Sequence, residues 1–325
     1  MQMERKKTEN APSFLRWYAN SRIGFTHFYV AIFLVLTIAY LAEAILPKPD
    51  NAVLTHYHLT PTSYHLLIDP LATILVMIWL VSLYGSLRVK AYARLIQGSN
   101  DGNGMNLISN GLLVQTISLP IVSNVSYILN HIAKNHHNLQ PSATIIVNYV
   151  SLGLMALAFA LIFAGGRKLF NLIPGRVKQL PRIVWQGVFI LASCLYTYFV
   201  IIQPIHHPLD RRAYFLPDWL LVLTIAAPYI FFWYAGVNGA YNMYLYRRNI
   251  KGSIYRSGLS FVAAGITVVV LTSVITRIIT SLSSRITSLK ITPILLIIYG
   301  LLVVTAAGYI LIAIGAKKLR KIEEV

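Results

Sequence analysis

Eight stretches of predominantly apolar residues run through this chain of 325 and fix its solvent before anything else. They lie near residues 27 to 46, 67 to 87, 107 to 129, 143 to 164, 183 to 203, 218 to 244, 257 to 281 and 291 to 315. A helix needs about 20 such residues to cross a hydrocarbon core of roughly 30 Å. Inside lipid every backbone N–H and C=O must be satisfied within the protein, which leaves helices and closed barrels as spanning structures. The runs lack the strict alternation of barrel strands, so an all-α integral membrane protein with eight transmembrane helices is expected. A mean hydropathy of +0.62 agrees. So does a charged fraction of 12%, where soluble domains carry roughly a quarter.

The net charge of +18 raises the question of nucleic acid, and its distribution answers it. Lys and Arg gather in the N-terminal tail, in the loops at residues 88 to 94, 167 to 182 and 247 to 256, and in the tail at 317 to 321, 21 in all. The opposite side holds six: Lys48, Lys134, Arg211, Arg212, Arg285 and Lys290. This is the positive-inside asymmetry of a plasma-membrane protein with both termini in the cytoplasm. It argues for anionic lipid headgroups as partners and against nucleic acid. The motif "AEA" at Ala42 to Ala44, near the end of the first run, resembles a signal-peptide cleavage site. The long polar segment before that run favours a retained helix.

Two phrases nearly coincide. "YARLIQGS" at residues 92 to 99 and "YRRNIKGS" at 246 to 253 share Tyr92 with Tyr246, Arg94 with Arg248, Ile96 with Ile250, Gly98 with Gly252 and Ser99 with Ser253, an offset of 154. The same offset pairs Gly104 with Gly258 and Gly111 with Gly265. An offset of 150 aligns residues 149 to 169 on 299 to 319 with eight identities, among them Gly165 with Gly315 and Leu169 with Leu319. His56 pairs with His206 at that offset, and Asp69 with Asp218 after a one-residue slip. The expected architecture is therefore a duplicated four-plus-four parallel repeat with a pseudo-twofold axis along the membrane normal. The parts are a tail at 1–26, a unit at 27–166, a basic linker at 167–182, a unit at 183–316 and a tail at 317–325. In the repeated phrase, Tyr92, Tyr246, Arg94 and Arg248 read as interfacial anchors, and Gly98 and Gly252 as helix-end glycines. The intervening "GSNDGNG" lacks the Lys-Ser or Lys-Thr of a phosphate loop.

Histidine is the most unevenly placed residue. Eight of nine lie on the extracytoplasmic side, including His56, His58, His206 and His207. With Asp69 and Asp218 nearby they are candidate Zn²⁺ or Cu²⁺ ligands, or a proton sensor, against the plain reading that loops carry polar residues. The single cysteine, Cys194, rules out an intrachain disulfide or thiolate metal site. Helix interiors nearly free of histidine argue against bis-His haem.

Polar groups within the bilayer are costly, which makes Glu43, Asn124, Asn148 and Arg277 candidates. Asn and Gln also serve as interhelical glue, and a guanidinium near a helix end can snorkel. Pro120, Pro228 and Pro293 interrupt three runs. The motifs GxSxG, GxGxxG and HExxH are absent, and few carboxylates remain for acid and base work, so an enzyme is disfavoured. The leading expectation is a transport-like protein for a small solute or ion, working between two like halves. The alternatives are a sensor or assembly subunit whose outer histidine face answers to metal or protons, with a protein partner or a homo-oligomer as its setting, and an enzyme acting on lipid-linked substrate at the outer face.

Overall fold

The computed structural model describes residues 25–45, 61–96, 99–135, 140–173, 218–249, 252–283 and 291–323. Its elements are all helical: α1 (Phe25–Ile45), α2 (Pro61–Leu95), α3 (Asn100–Asn135), α4 (Gln140–Phe170), α5 (Asp218–Tyr246), a 3₁₀ turn (Arg247–Asn249), α6 (Ser253–Ser283) and α7 (Ile291–Glu323). Seven of the eight expected runs thus carry a helix. The run at 183 to 203, with Cys194, lies outside the described residues. Five segments are long and apolar enough to cross a membrane: Ala72–Leu95, Asp101–Val125, Val150–Phe170, Ser253–Thr276 and Ile297–Arg320. The chain is therefore a multi-pass, membrane-embedded helical protein.

The helices outrun the apolar stretches that announced them. α2 and α3 have 35 and 36 residues, about 50 Å each at 1.5 Å per residue, well beyond the hydrocarbon core. α7 continues through Lys317, Lys318 and Arg320, because Lys and Arg are good helix formers and favour the negative end of the helix dipole. Pro70 and Pro120 sit inside α2 and α3. Four residues after Pro120, the buried Asn124 amide donates to the Pro120 carbonyl at 2.7 Å.

Two compact units divide at Ala72 and Thr73. In the first, α1 satisfies its intramembrane hydroxyl internally, with Thr37 Oγ1 donating to the Phe33 carbonyl at 2.8 Å. In the second, α3 with α4 and α6 with α7 form two antiparallel hairpins, and glycine sets their spacing. A methyl group placed on Gly165 would lie 2.6 Å from the Gly104 carbonyl oxygen and 2.9 Å from the Ile108 nitrogen. On Gly315 it would meet the Gly258 oxygen at 2.6 Å and the Val262 nitrogen at 2.8 Å. Small residues let the backbones touch where lipid offers no hydrophobic drive to associate.

Within this unit, α5 and the part of α2 beyond Ala72 cross between hairpins. Gly239 of α5 rests on Ile162 and Gly166 of α4, and Gly85 of α2, 154 residues before Gly239, rests on Tyr309 of α7. The helix leading into each hairpin thus packs on the closing helix of the other.

Candidate functional site

At the end of the second unit that carries most of its arginines, the repeated tyrosines cross in the same way. Tyr92 of α2 donates to the Tyr255 hydroxyl of α6 at 2.6 Å, with the rings edge to face. Tyr246 of α5 donates to Asp101 Oδ2 of α3 at 2.5 Å. The offset of 154 carries Tyr92 to Tyr246 and Asp101 to Tyr255, so it turns one hydrogen bond into the other. Both tyrosines are buried, Tyr92 wholly so. They tie helices together, whereas interfacial anchors would face headgroups. Burial, and then the bond to Asp101, push the Tyr246 phenol above its ordinary range. Arg94 and Arg248 lie exposed, Gly252 adopts a φ of 120° that only glycine takes without strain, and Gly98 lies outside the described residues. Asp101 and Tyr255 escape an identity search because the two positions diverged. Their shared offset was the available signal.

Beside this crossing, Arg247, Arg248, Arg256, Ser257 and Ser260 line a cleft of about 510 Å³. The Arg247 guanidinium lies 3.7 Å from the Tyr244 ring centroid and donates to Ser260 Oγ. Lys318 donates to Ser257 Oγ at 3.0 Å and sits over the Phe261 ring.

Deeper in the bundle runs a belt of buried polar groups. Ser86 Oγ and Thr116 Oγ1 are 2.8 Å apart, and the Tyr309 hydroxyl faces Thr116 and Ser82 without a hydrogen bond of good geometry. Gln115 Nε2 donates across to Ser273 at 3.2 Å, while its Oε1 is buried without a partner. Ser82, Ser86, Thr116 and Tyr309 are each at most 1% exposed. The offsets give their counterparts as Gly236, Ala240, Val270 and Phe159. There the same kind of junction is apolar: Gly236 packs on Val270 and Phe159 on Phe232. At these four positions one junction carries hydroxyls and the other does not, although the helices meet alike and α5 keeps an amide pair of its own, the buried Asn242 donating to Asn238. Packing alone therefore does not demand the hydroxyls.

The sequence candidates are spread widely. Asn124 is buried and bonded to its own helix. Glu43, Asp69, Asn148, Asp218 and Arg277 fall in helices, α1, α2, α4, α5 and α6 in turn, with side chains outside what is described. His56, His58, His206 and His207 lie outside the described residues, and among those described no group of His, Cys, Asp or Glu is placed to hold a metal. Ser82, Ser86 and Tyr309 drew no notice in the sequence, because hydroxyl residues are common in membrane helices. The signal was the contrast between positions that the offsets pair. Comparison with family models, with curated proteins and with solved structures finds no match.

Proposed function

We propose that the chain is a transport-like membrane protein that passes a small polar solute or ion between two like halves, along the belt of Ser82, Ser86, Gln115, Thr116, Ser273 and Tyr309. The finer architecture belongs to the same reading: eight spans as a four-plus-four parallel repeat in the plasma membrane, with both termini cytoplasmic. The observation that carries it is the asymmetry of the belt. Burying a hydroxyl or amide oxygen without a partner costs about 1 to 3 kcal/mol, a cost that Gln115 Oε1 and the Tyr309 hydroxyl carry, and the offsets pair these positions with Val269 and Phe159, which carry no such cost. A burden retained on one side alone points to use. Gln115 Oε1 and the Tyr309 hydroxyl offer the unmet capacity that a passing solute or water would satisfy.

Thiol accessibility tests this without knowledge of the substrate. With Cys194→Ser as background, single substitutions Ser82→Cys, Ser86→Cys and Ser273→Cys are exposed to a membrane-impermeant, charged thiol reagent in proteoliposomes. Gly236→Cys and Ala240→Cys report the dry counterpart. The reading expects labelling along the belt only. Belt cysteines that react with a lipid-soluble maleimide but never with the charged reagent would retire it.

A further inference from the structure

We infer that the cleft of Arg247, Arg248, Arg256, Ser257 and Ser260 binds a phosphate group, carried either by a phospholipid headgroup or by a soluble phosphorylated molecule. The site stands independently of the transport reading. Three guanidiniums and two hydroxyls line one cleft of about 510 Å³, and among the described residues no carboxylate lines it. Guanidinium forks match phosphate oxygens two at a time, so three that converge on one cleft suit that ligand. Arg247 is held in place by the Tyr244 ring and Ser260, so little side-chain entropy remains to be lost on binding. Lys318, bonded to Ser257, adds a fourth cation at the border, and Ser257 keeps a hydroxyl hydrogen to donate. A volume in the range of about 300 to 1,000 Å³ suits a small ligand.

A rule that merely gathers cations at one membrane face does not require this convergence. The first copy shows the alternative. At the offset of 154 its residues are Ala93, Arg94, Gly102, Asn103 and Asn106, with one guanidinium in place of three. Where the second copy has Tyr255, the first has the carboxylate of Asp101. The crossing of tyrosines holds on both sides, so two of the arginines are not needed to build it. The cleft is a departure of one copy in the direction of anion binding.

The test uses the full-length chain in nanodiscs of phosphatidylcholine, titrated with inorganic phosphate, and in nanodiscs that also contain phosphatidylglycerol. Thermal unfolding and direct titration give the affinity. The double variant Arg247→Ala/Arg256→Gly installs the residues of the first copy, and Arg88→Ala/Arg167→Ala removes the same charge elsewhere. We expect one or both probes to raise the unfolding midpoint of the wild type. The cleft variant should bind about 10- to 100-fold more weakly, as loss of charge-assisted hydrogen bonds implies, and the control variant should bind as the wild type does. Protection by phosphate in the neutral nanodiscs assigns the site to a soluble ligand, and protection by phosphatidylglycerol alone assigns it to a headgroup. Should the cleft variant misfold, Arg247→Lys/Arg256→Lys keeps the charge but loses the fork, and weaker binding is again expected. Failure of both probes, or equal losses in the cleft and control variants, would overturn the inference.

Discussion

Replacing Gly165 by alanine should separate a glycine required by packing from one that is merely present. The added methyl would lie 2.6 Å from the Gly104 carbonyl oxygen and 2.9 Å from the Ile108 nitrogen. Both are backbone atoms of α3, which cannot turn aside as a side chain would, so the helices must part. Overpacking of this kind costs about 1 to 3 kcal/mol, and a backbone obstacle puts the effect at the upper end. Alanine recovers about 1 kcal/mol through its helix propensity, leaving a net loss of about 1 to 2 kcal/mol. Gly315→Ala meets the Gly258 oxygen at 2.6 Å and the Val262 nitrogen at 2.8 Å, so its loss should match within about 0.5 kcal/mol. Gly153 and Gly300 have nothing within 4 Å of such a methyl, and alanine there should be neutral or stabilise by up to about 1 kcal/mol. Unfolding by added SDS in mixed micelles, followed by tryptophan fluorescence, resolves these differences. Equal destabilisation at Gly153 and Gly165, or tolerance at Gly165 with loss at Gly315, would refute the reasoning.

Three further outcomes follow from particular contacts. Ser86→Ala with Thr116→Val, the residues of the apolar junction, should leave stability within about 1 kcal/mol of wild type, since removing both partners of a buried hydrogen bond strands no group; SDS titration checks it. Lys90 donates to both Asn106 and Asn110 at 2.6 Å, so Lys90→Met should cost about 1 kcal/mol, and Asn110→Ala in that background should cost little more. The Tyr246 phenol is raised above its ordinary value of 10.0 by burial and then by Asp101. The folded state then keeps a proton that the unfolded state releases, so this contribution is complete below about pH 10 and declines above it. Wild type should lose stability more steeply than Tyr246→Phe between about pH 10 and pH 11.

How much of this was legible in the sequence depends on the kind of information each feature carries. Apolar length announces a span, and seven of the eight runs became helices, yet it understated their reach because Lys317, Lys318 and Arg320 prolong a helix beyond lipid without raising hydropathy. Glycine identities at 104, 165, 258 and 315 were readable as positions, and their partners became visible only when two hairpins placed them face to face. Tyr92 and Tyr246 were singled out, but their role was hidden, since hydrogen-bond partners 163 and 145 residues away leave no local trace. The belt was the least legible part. Serine or threonine in a membrane helix usually returns its proton to its own backbone, as Ser82 does to Ile78 and Thr116 to Leu112, and only the apolar residues at the offset positions distinguish these from the ordinary case.

Both functional inferences compare positions that the offsets of 150 and 154 pair, on helices that cross from one hairpin to the other, so the crossing itself is the claim to test first. Double-mutant cycles on Tyr92→Phe with Tyr255→Phe, and on Tyr246→Phe with Asp101→Asn, measure it directly in SDS titrations of the full chain. Coupling of about 1 kcal/mol for the tyrosine pair and about 1.5 to 3 kcal/mol for the carboxylate pair is predicted. Additivity within about 0.3 kcal/mol in both cycles would contradict the account.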